Sequence, residues 1–226
     1  MRRFASLVAV LVCLGCAPSN PGFVIEGMLA VPDGCLFVAN SDVLNFAPVL
    51  DTADYGPLRP LGIRYQAQFR VVNRLIQLFN NRYPLRAEPN VLSLNYAEVE
   101  LLAVDGTALD LGGLPNPFRV TTSGTITPGT TAAGTPGLAP VEVIPPIYGE
   151  QLAAFSPGRI LVGVRITATT SGASTITSGQ YLFPLDLCSN CLLACDPEIE
   201  LTEGACLLGQ DRVVTVGTDV IPDCAR

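Results

Sequence analysis

The sequence predicts an all-β protein, an antiparallel two-sheet β-sandwich closed by a disulfide-stapled C-terminal tail. Three observations predict it. Short stretches of apolar and polar residues alternate strictly along the chain, 21 Gly and 19 Pro separate those stretches, and five of the eight cysteines lie between Cys188 and Cys224. Period-two alternation places one strand face in a core and the other in water. Gly and Pro punctuate the runs with turns, and cysteine this dense suits an oxidising compartment. The chain has 226 residues, 49% of them apolar and 15% charged. That composition excludes disorder and supports a sizeable core without metal or cofactor.

Met1-Arg2-Arg3 and the apolar run 4–14 read as a secretory signal over residues 1–15, too short to cross a bilayer as a helix. Leu14-Gly15-Cys16 resembles the lipobox of bacterial lipoproteins. The resemblance implies cleavage before Cys16, diacylation of its thiol and acylation of its new amine, although Cys13 stands where that family most often carries Leu. Ala17, not Asp, follows Cys16, which in that family implies sorting to the outer membrane. Residues 16–22 then form a polar tether. The alternative is an ordinary cleaved signal that leaves a freely secreted chain.

Residues 23–187 read as the sandwich. Apolar runs 23–31 and 35–39, split by Pro32-Asp33-Gly34, predict an opening hairpin, and 41–60 a loop. Ile63, Tyr65, Ala67, Phe69 and Val71 alternate with Arg64, Gln66, Gln68 and Arg70, and this strand is expected to end or bulge at 72–76. A second strand region, 91–104, precedes the hairpin signal Asp105-Gly106 and a partner run 107–111. Gly112-Gly113 and Pro115-Asn116-Pro117 close that unit. A strand over 118–127 leads into a Thr-, Gly- and Pro-rich connection, 128–140, and a short strand, 141–144. Residues 147–155 predict two helical turns ended by Pro157-Gly158. Ile160 to Ala168 alternates strictly, the turn Ser171–Ser174 follows, and 175–187 is the returning strand. Many short strands with polar turns favour an immunoglobulin-like sandwich.

The run from Tyr65 to Leu75, with Ala97-Glu98-Val99-Glu100-Leu101, is loosely similar to the late-embryogenesis-abundant type-2 β-sandwiches. The whole layout of lipobox, sandwich strands and a cysteine tail carrying Gly209-Gln210-Asp211 resembles uncharacterised bacterial envelope lipoproteins. That resemblance implies an envelope location and no known activity.

His and Trp are absent, and all 13 basic residues are Arg, so Lys is absent too. This removes Ser-His-Asp and Cys-His pairs, imidazole ligands, Schiff bases and the P-loop lysine. The net charge is −7. Loss of Arg2 and Arg3 with the signal leaves 11 basic and 20 acidic residues, a net −9. Nucleic acid is therefore no partner. The expected partners are the membrane, through the lipid, and an unknown envelope protein or glycan; no cofactor is expected.

Six cysteines remain once Cys13 is removed and Cys16 is acylated: Cys35, Cys188, Cys191, Cys195, Cys206 and Cys224. Three bridges with fifteen connectivities are open to them. Cys35 alone lies outside the tail 188–226, so even pairing ties it to a tail cysteine. A four-thiolate zinc site on Cys188, Cys191, Cys206 and Cys224 is the competing reading, but the second pair lacks the C-x-x-C spacing. A redox-active Cys188-Ser-Asn-Cys191 lacks the strand-to-helix setting of thioredoxin-like proteins. Glu98 and Glu100 share one strand face about 7 Å apart, a separation a glycosidase pair could use, but two acids on the wet face of an amphipathic strand are the commoner reason for the pattern, and with Trp absent no aromatic sugar platform is evident. Asp196, Glu198, Glu200 and Glu203 are oxygen-rich enough for calcium but do not have EF-hand spacing. The expected function is a non-catalytic lipid-anchored envelope protein. A secreted carbohydrate- or calcium-binding module is the alternative, and a carboxylate-only hydrolase the third reading.

Overall fold

Tyr65, Ala67, Phe69 and Val71 are buried while the residues between them reach the opposite face. In the computed structural model, which describes residues 22–56, 59–76, 89–131, 133–195, 206 and 208–216, this alternation forms β3 (Tyr65–Asn73). It is the central strand of a three-stranded antiparallel sheet, between β1 (Phe23–Met28) and β7 (Thr135–Ile144). The opening hairpin is not formed. Asp33–Cys35 makes a 3-10 turn, β1 pairs with β3, and Val43–Asn45 runs beside Met28–Ala30, because the alternating face of β3 offers β1 a longer ladder than the short run 35–39 does.

The proposed connection 128–140 is corrected as well: β7 begins at Thr135 and pairs along β3 to Ile144. Its prolines misled the reading. Pro140 directs its carbonyl away from β3, to the Thr122 hydroxyl at 2.7 Å, so its nitrogen also faces the free edge and no ladder bond is lost.

The second sheet has seven strands, ordered β2–β10–β8–β4–β5 with β6 on β4 and β9 on β8. Here β2 is Val49–Asp51, β4 Leu92–Leu102, β5 Phe118–Thr121, β6 Thr125–Ile126, β8 Gly158–Thr170, β9 Thr175–Thr177 and β10 Tyr181–Cys188. The expected strands 118–127 and 175–187 are thus each broken into two. The run 107–111 keeps the turn but contributes only a single bridge, Leu102 to Ala108. The predicted loop 41–60 contains β2, which lies parallel to β10, a departure from a purely antiparallel sheet. A parallel pair, β11 (Leu193–Cys195) and β12 (Val214–Val216), lies in the tail.

Between the sheets, Phe69 meets Tyr181 edge-on at 5.8 Å, and Val99, Val162, Val164 and Leu185 are fully buried. Each such side chain contributes about 1.5–3 kcal/mol on burial. Helix α1 (Pro146–Leu152) caps one end, with Pro at its first position, where a missing N–H costs nothing. Its Tyr148 stacks on Phe118 at 3.9 Å.

Candidate functional site

Strand β2 carries a carboxylate into a fully buried position. Asp51 lies in the run Val49-Leu50-Asp51-Thr52-Ala53 and is fully buried there. Its Oδ1 accepts the N–H groups of Ala53 at 3.0 Å and Asn190 at 2.9 Å. Its Oδ2 accepts those of Cys191 at 2.7 Å and Leu192 at 2.9 Å, and the buried Tyr55 hydroxyl. The turn after β10 thus points three successive N–H groups at one carboxylate, an anion nest closed by the Cys188–Cys191 disulfide. Burial opposes the charge, but the Tyr55 hydroxyl and the Leu192, Ala53 and Cys191 N–H groups outweigh it, and the carboxyl stays below its ordinary range. Its burial beside Asp51, and the hydrogen bond to it, push the Tyr55 hydroxyl far up.

Arg59 braces the same corner from below. Its Nη1 donates to the Asp51 carbonyl at 2.6 Å and its Nη2 to the Arg64 carbonyl at 3.3 Å. Gly209 passes over this guanidinium with φ +77°, and a Cβ there would stand 3.0 Å from it. A side chain is therefore excluded on two counts.

Beyond Gly209 the tail closes the open side of the sandwich. The Gly209 carbonyl accepts the Asp51 N–H at 2.9 Å, and the Asp211 N–H donates to the Val49 carbonyl at 3.0 Å. On the other sheet β1 has ended, so the β3 backbone at Gln66 faces no strand. The Gln210 side chain takes its place: Oε1 accepts the Gln66 N–H at 2.9 Å and Nε2 donates to the Gln66 carbonyl at 2.5 Å. Asp211 accepts the Val49 N–H at 2.8 Å and the Tyr65 hydroxyl at 2.5 Å. The disulfide Cys35–Cys206 holds this segment to the loop after β1.

Asp51, Cys188 and Cys191 place an oxygen and two sulfurs within 4.8 Å of one another, close enough to share a metal ion. Their donors are committed elsewhere. The carboxylate already serves five hydrogen bonds, more than its roughly four lone-pair sites, and the sulfurs are bonded to each other. The four-thiolate zinc reading is overturned by the same pairing, since Cys206 is bonded to Cys35. The side chain of Cys195, all of Cys224, and Asp196, Glu198, Glu200 and Glu203 lie outside the described residues, as does Cys16.

Glu98 and Glu100 sit on the outer face of β4. Glu98 is flanked by Arg119 and Arg165 at 3.6 Å each, and Glu100 accepts the Gln180 amide at 3.1 Å. Arg119 also covers the Tyr96 ring at 4.6 Å. These are internal pairings of a solvated face.

Sequence reasoning found the cysteines and singled out Gly209-Gln210-Asp211 but missed Asp51, Tyr55 and Arg59. The available signal was an acid inside an apolar run. Comparison with protein-family models and with curated proteins finds no match.

Proposed function

We propose that the chain is a non-catalytic, lipid-anchored protein of the cell envelope, held by an acylated Cys16, whose sandwich has a structural or binding role. The observation that carries it is the Cys35–Cys206 cross-link, which ties the first loop of the domain to its tail across 171 residues. A long-range disulfide of this kind supports an oxidising compartment, and the lipobox ending in Cys16 supplies the anchor. Residues 16–22 reach at most about 25 Å when extended, so the anchor would keep the β1 end of the sandwich beside the bilayer. Ala17 favours the outer membrane. Among the described residues no helix is long and apolar enough to cross a membrane. The lack of His and Lys supports a binding role over catalysis.

The test is mass spectrometry of the N-terminal peptide from the membrane fraction of a bacterial host. The expected peptide begins at Cys16 and carries the mass of a diacylglyceryl group. A chain recovered from the medium with an unmodified N-terminus would sink the anchor and leave the secreted module.

A further inference from the structure

The outer face of the three-stranded sheet carries two adjoining clefts, of about 210 and 300 Å³, that share Gln66 and Gln68 as their floor. One wall is the Cys35–Cys206 disulfide with Phe37; the other is the crossing segment Thr121–Ser123, at the free edge of β7. We propose that this groove is a binding site for a neutral oligosaccharide, which deepens the binding role proposed above by naming a ligand class and does not depend on Cys16 being acylated.

The floor carries the argument. Gln66 and Gln68 are two residues apart on one face of β3, a repeat of about 6.6 Å. Gln66 is exposed and Gln68 half-buried. Among the described residues neither side-chain amide has a hydrogen-bond partner, although the Gln66 backbone is clamped on both its polar groups by Gln210. Each free amide offers an acceptor oxygen and two donor hydrogens. A row of such groups matches sugar hydroxyls, which both donate and accept.

Charge and topology select among ligands. Glu142 lines one cleft, paired with Arg64 at 3.1 Å, and Arg212 lines the other, so the groove carries charges of both signs and selects neither a cation nor an anion. A peptide added as a strand needs a free edge. The clefts lie on the face of β3, whose edges are taken by β1 and Gln210 on one side and by β7 on the other, and the outer edge of β7 beside them is crossed by Thr121–Ser123, with the Thr122 hydroxyl on the Pro140 carbonyl. Phe37 adds an apolar wall for the C–H face of a sugar ring, and Thr121 and Ser123 add hydroxyls opposite it. The volumes sit at or below the lower end of small-ligand sites, about 300–1,000 Å³, which suits one ring per cleft. The disulfide wall and the Gln210 clamp fix the groove before a ligand arrives, and such preorganisation reduces the ordering cost of binding.

The full disulfide-bonded chain is titrated with β-linked glucose and N-acetylglucosamine oligomers, followed by the side-chain amide NMR signals of Gln66 and Gln68. Saturable shifts are expected in the millimolar range or tighter for at least one series. Gln66→Ala and Gln68→Ala should each weaken binding about tenfold, about 1.4 kcal/mol, at an unchanged melting temperature. Thr121→Val, on the opposite wall, should weaken it as well. No saturable shift with either series would overturn the proposal, as would equal binding by all three variants. Cys16 acylation is read separately by mass, so failure of the anchor and failure of the groove are distinct results.

Discussion

The N–H of Cys191 donates to Oδ2 of Asp51 at 2.7 Å across 140 positions of sequence, and it makes a buried acid the seat of the C-x-x-C turn. Besides the Tyr55 hydroxyl, each oxygen of that carboxylate accepts two backbone N–H groups, so an amide in its place would turn its NH2 on two N–H groups that cannot rotate away, whichever way it is flipped. Asp51→Asn should therefore cost about 3 kcal/mol or more, the scale for breaking a buried charged network. Urea unfolding of the oxidised protein measures it; a loss under about 1 kcal/mol would mean that the nest tolerates a neutral partner.

The same carboxylate sets the chemistry of the sulfurs. An anion held within 4.8 Å of both disfavours a thiolate on either. After reduction, Cys188 and Cys191 should therefore react more slowly with iodoacetamide than they do in the Asp51→Asn variant, unlike the thiols of a redox catalyst. Alkylation rates of the two reduced proteins at one pH report this. Equal rates would remove the electrostatic link.

Asp51 and Asp211 give stability opposite dependences on pH. Asp51 has a folded pKa below its ordinary 3.8, so its contribution is complete above that value and is lost as pH falls through the lower one. Asp211 is the reverse. Burial pushes its carboxyl up despite the Tyr65 and Val49 hydrogen bonds, so the native state holds the proton more tightly and is favoured below 3.8. That advantage is lost as pH rises through the raised folded value. Asp211→Asn keeps an acceptor for Val49 and turns its amide to the Tyr65 oxygen. It should flatten the loss above about pH 4 and cost little at pH 7, whereas Asp51→Asn flattens the acid limb. Urea midpoints from pH 3 to 7 distinguish them.

How much was legible follows from where each signal is stored. The strands β3, β4 and β8 show in their own alternation, because one face meets the core and the other does not. The edge strand β7 was hidden by Pro136 and Pro140, which are harmless there only because a neighbouring ladder leaves their side free. β2 is three residues long, and its decisive residue is a polar one whose partners besides Ala53 are Tyr55, Asn190, Cys191 and Leu192, so the one local mark of Asp51 is an acid inside an apolar run. The groove is less visible still. Gln66 and Gln68 read simply as the wet face of a strand, and only the fold brings Cys35, Cys206 and Thr121 around them.

Helix α1 carries a constraint that its sequence does not announce. A Cβ on Gly149 would stand 1.9 Å from the carbonyl oxygen of Ile63, so the helix lies on the backbone leading into β3 at a distance only hydrogen allows. Helix propensity alone would make Gly149→Ala stabilising by about 1 kcal/mol. The clash reverses the sign, and a loss of about 1–3 kcal/mol is expected from overpacking. A variant more stable than the parent in thermal melts would show that the helix can lift off Ile63.

The Cys35–Cys206 bridge should be the largest single contributor that can be removed without touching the core. It closes 171 residues, for which the chain-entropy model gives about 5 kcal/mol, and native disulfides in practice cost about 2–5 kcal/mol to remove. Paired replacement, Cys35→Ser with Cys206→Ser, avoids a stray thiol. The Gln210 amide and the Asp211 carboxylate would still pin the tail to both sheets, so the variant should fold with the same groove while its urea midpoint falls. Hydrogen exchange separates the two contributions: in the paired variant the Gln66 and Val49 amides should stay the slowest exchangers of this corner. If they become fast while the strands of the seven-stranded sheet stay protected, the disulfide and not the side-chain clamp holds the tail in place.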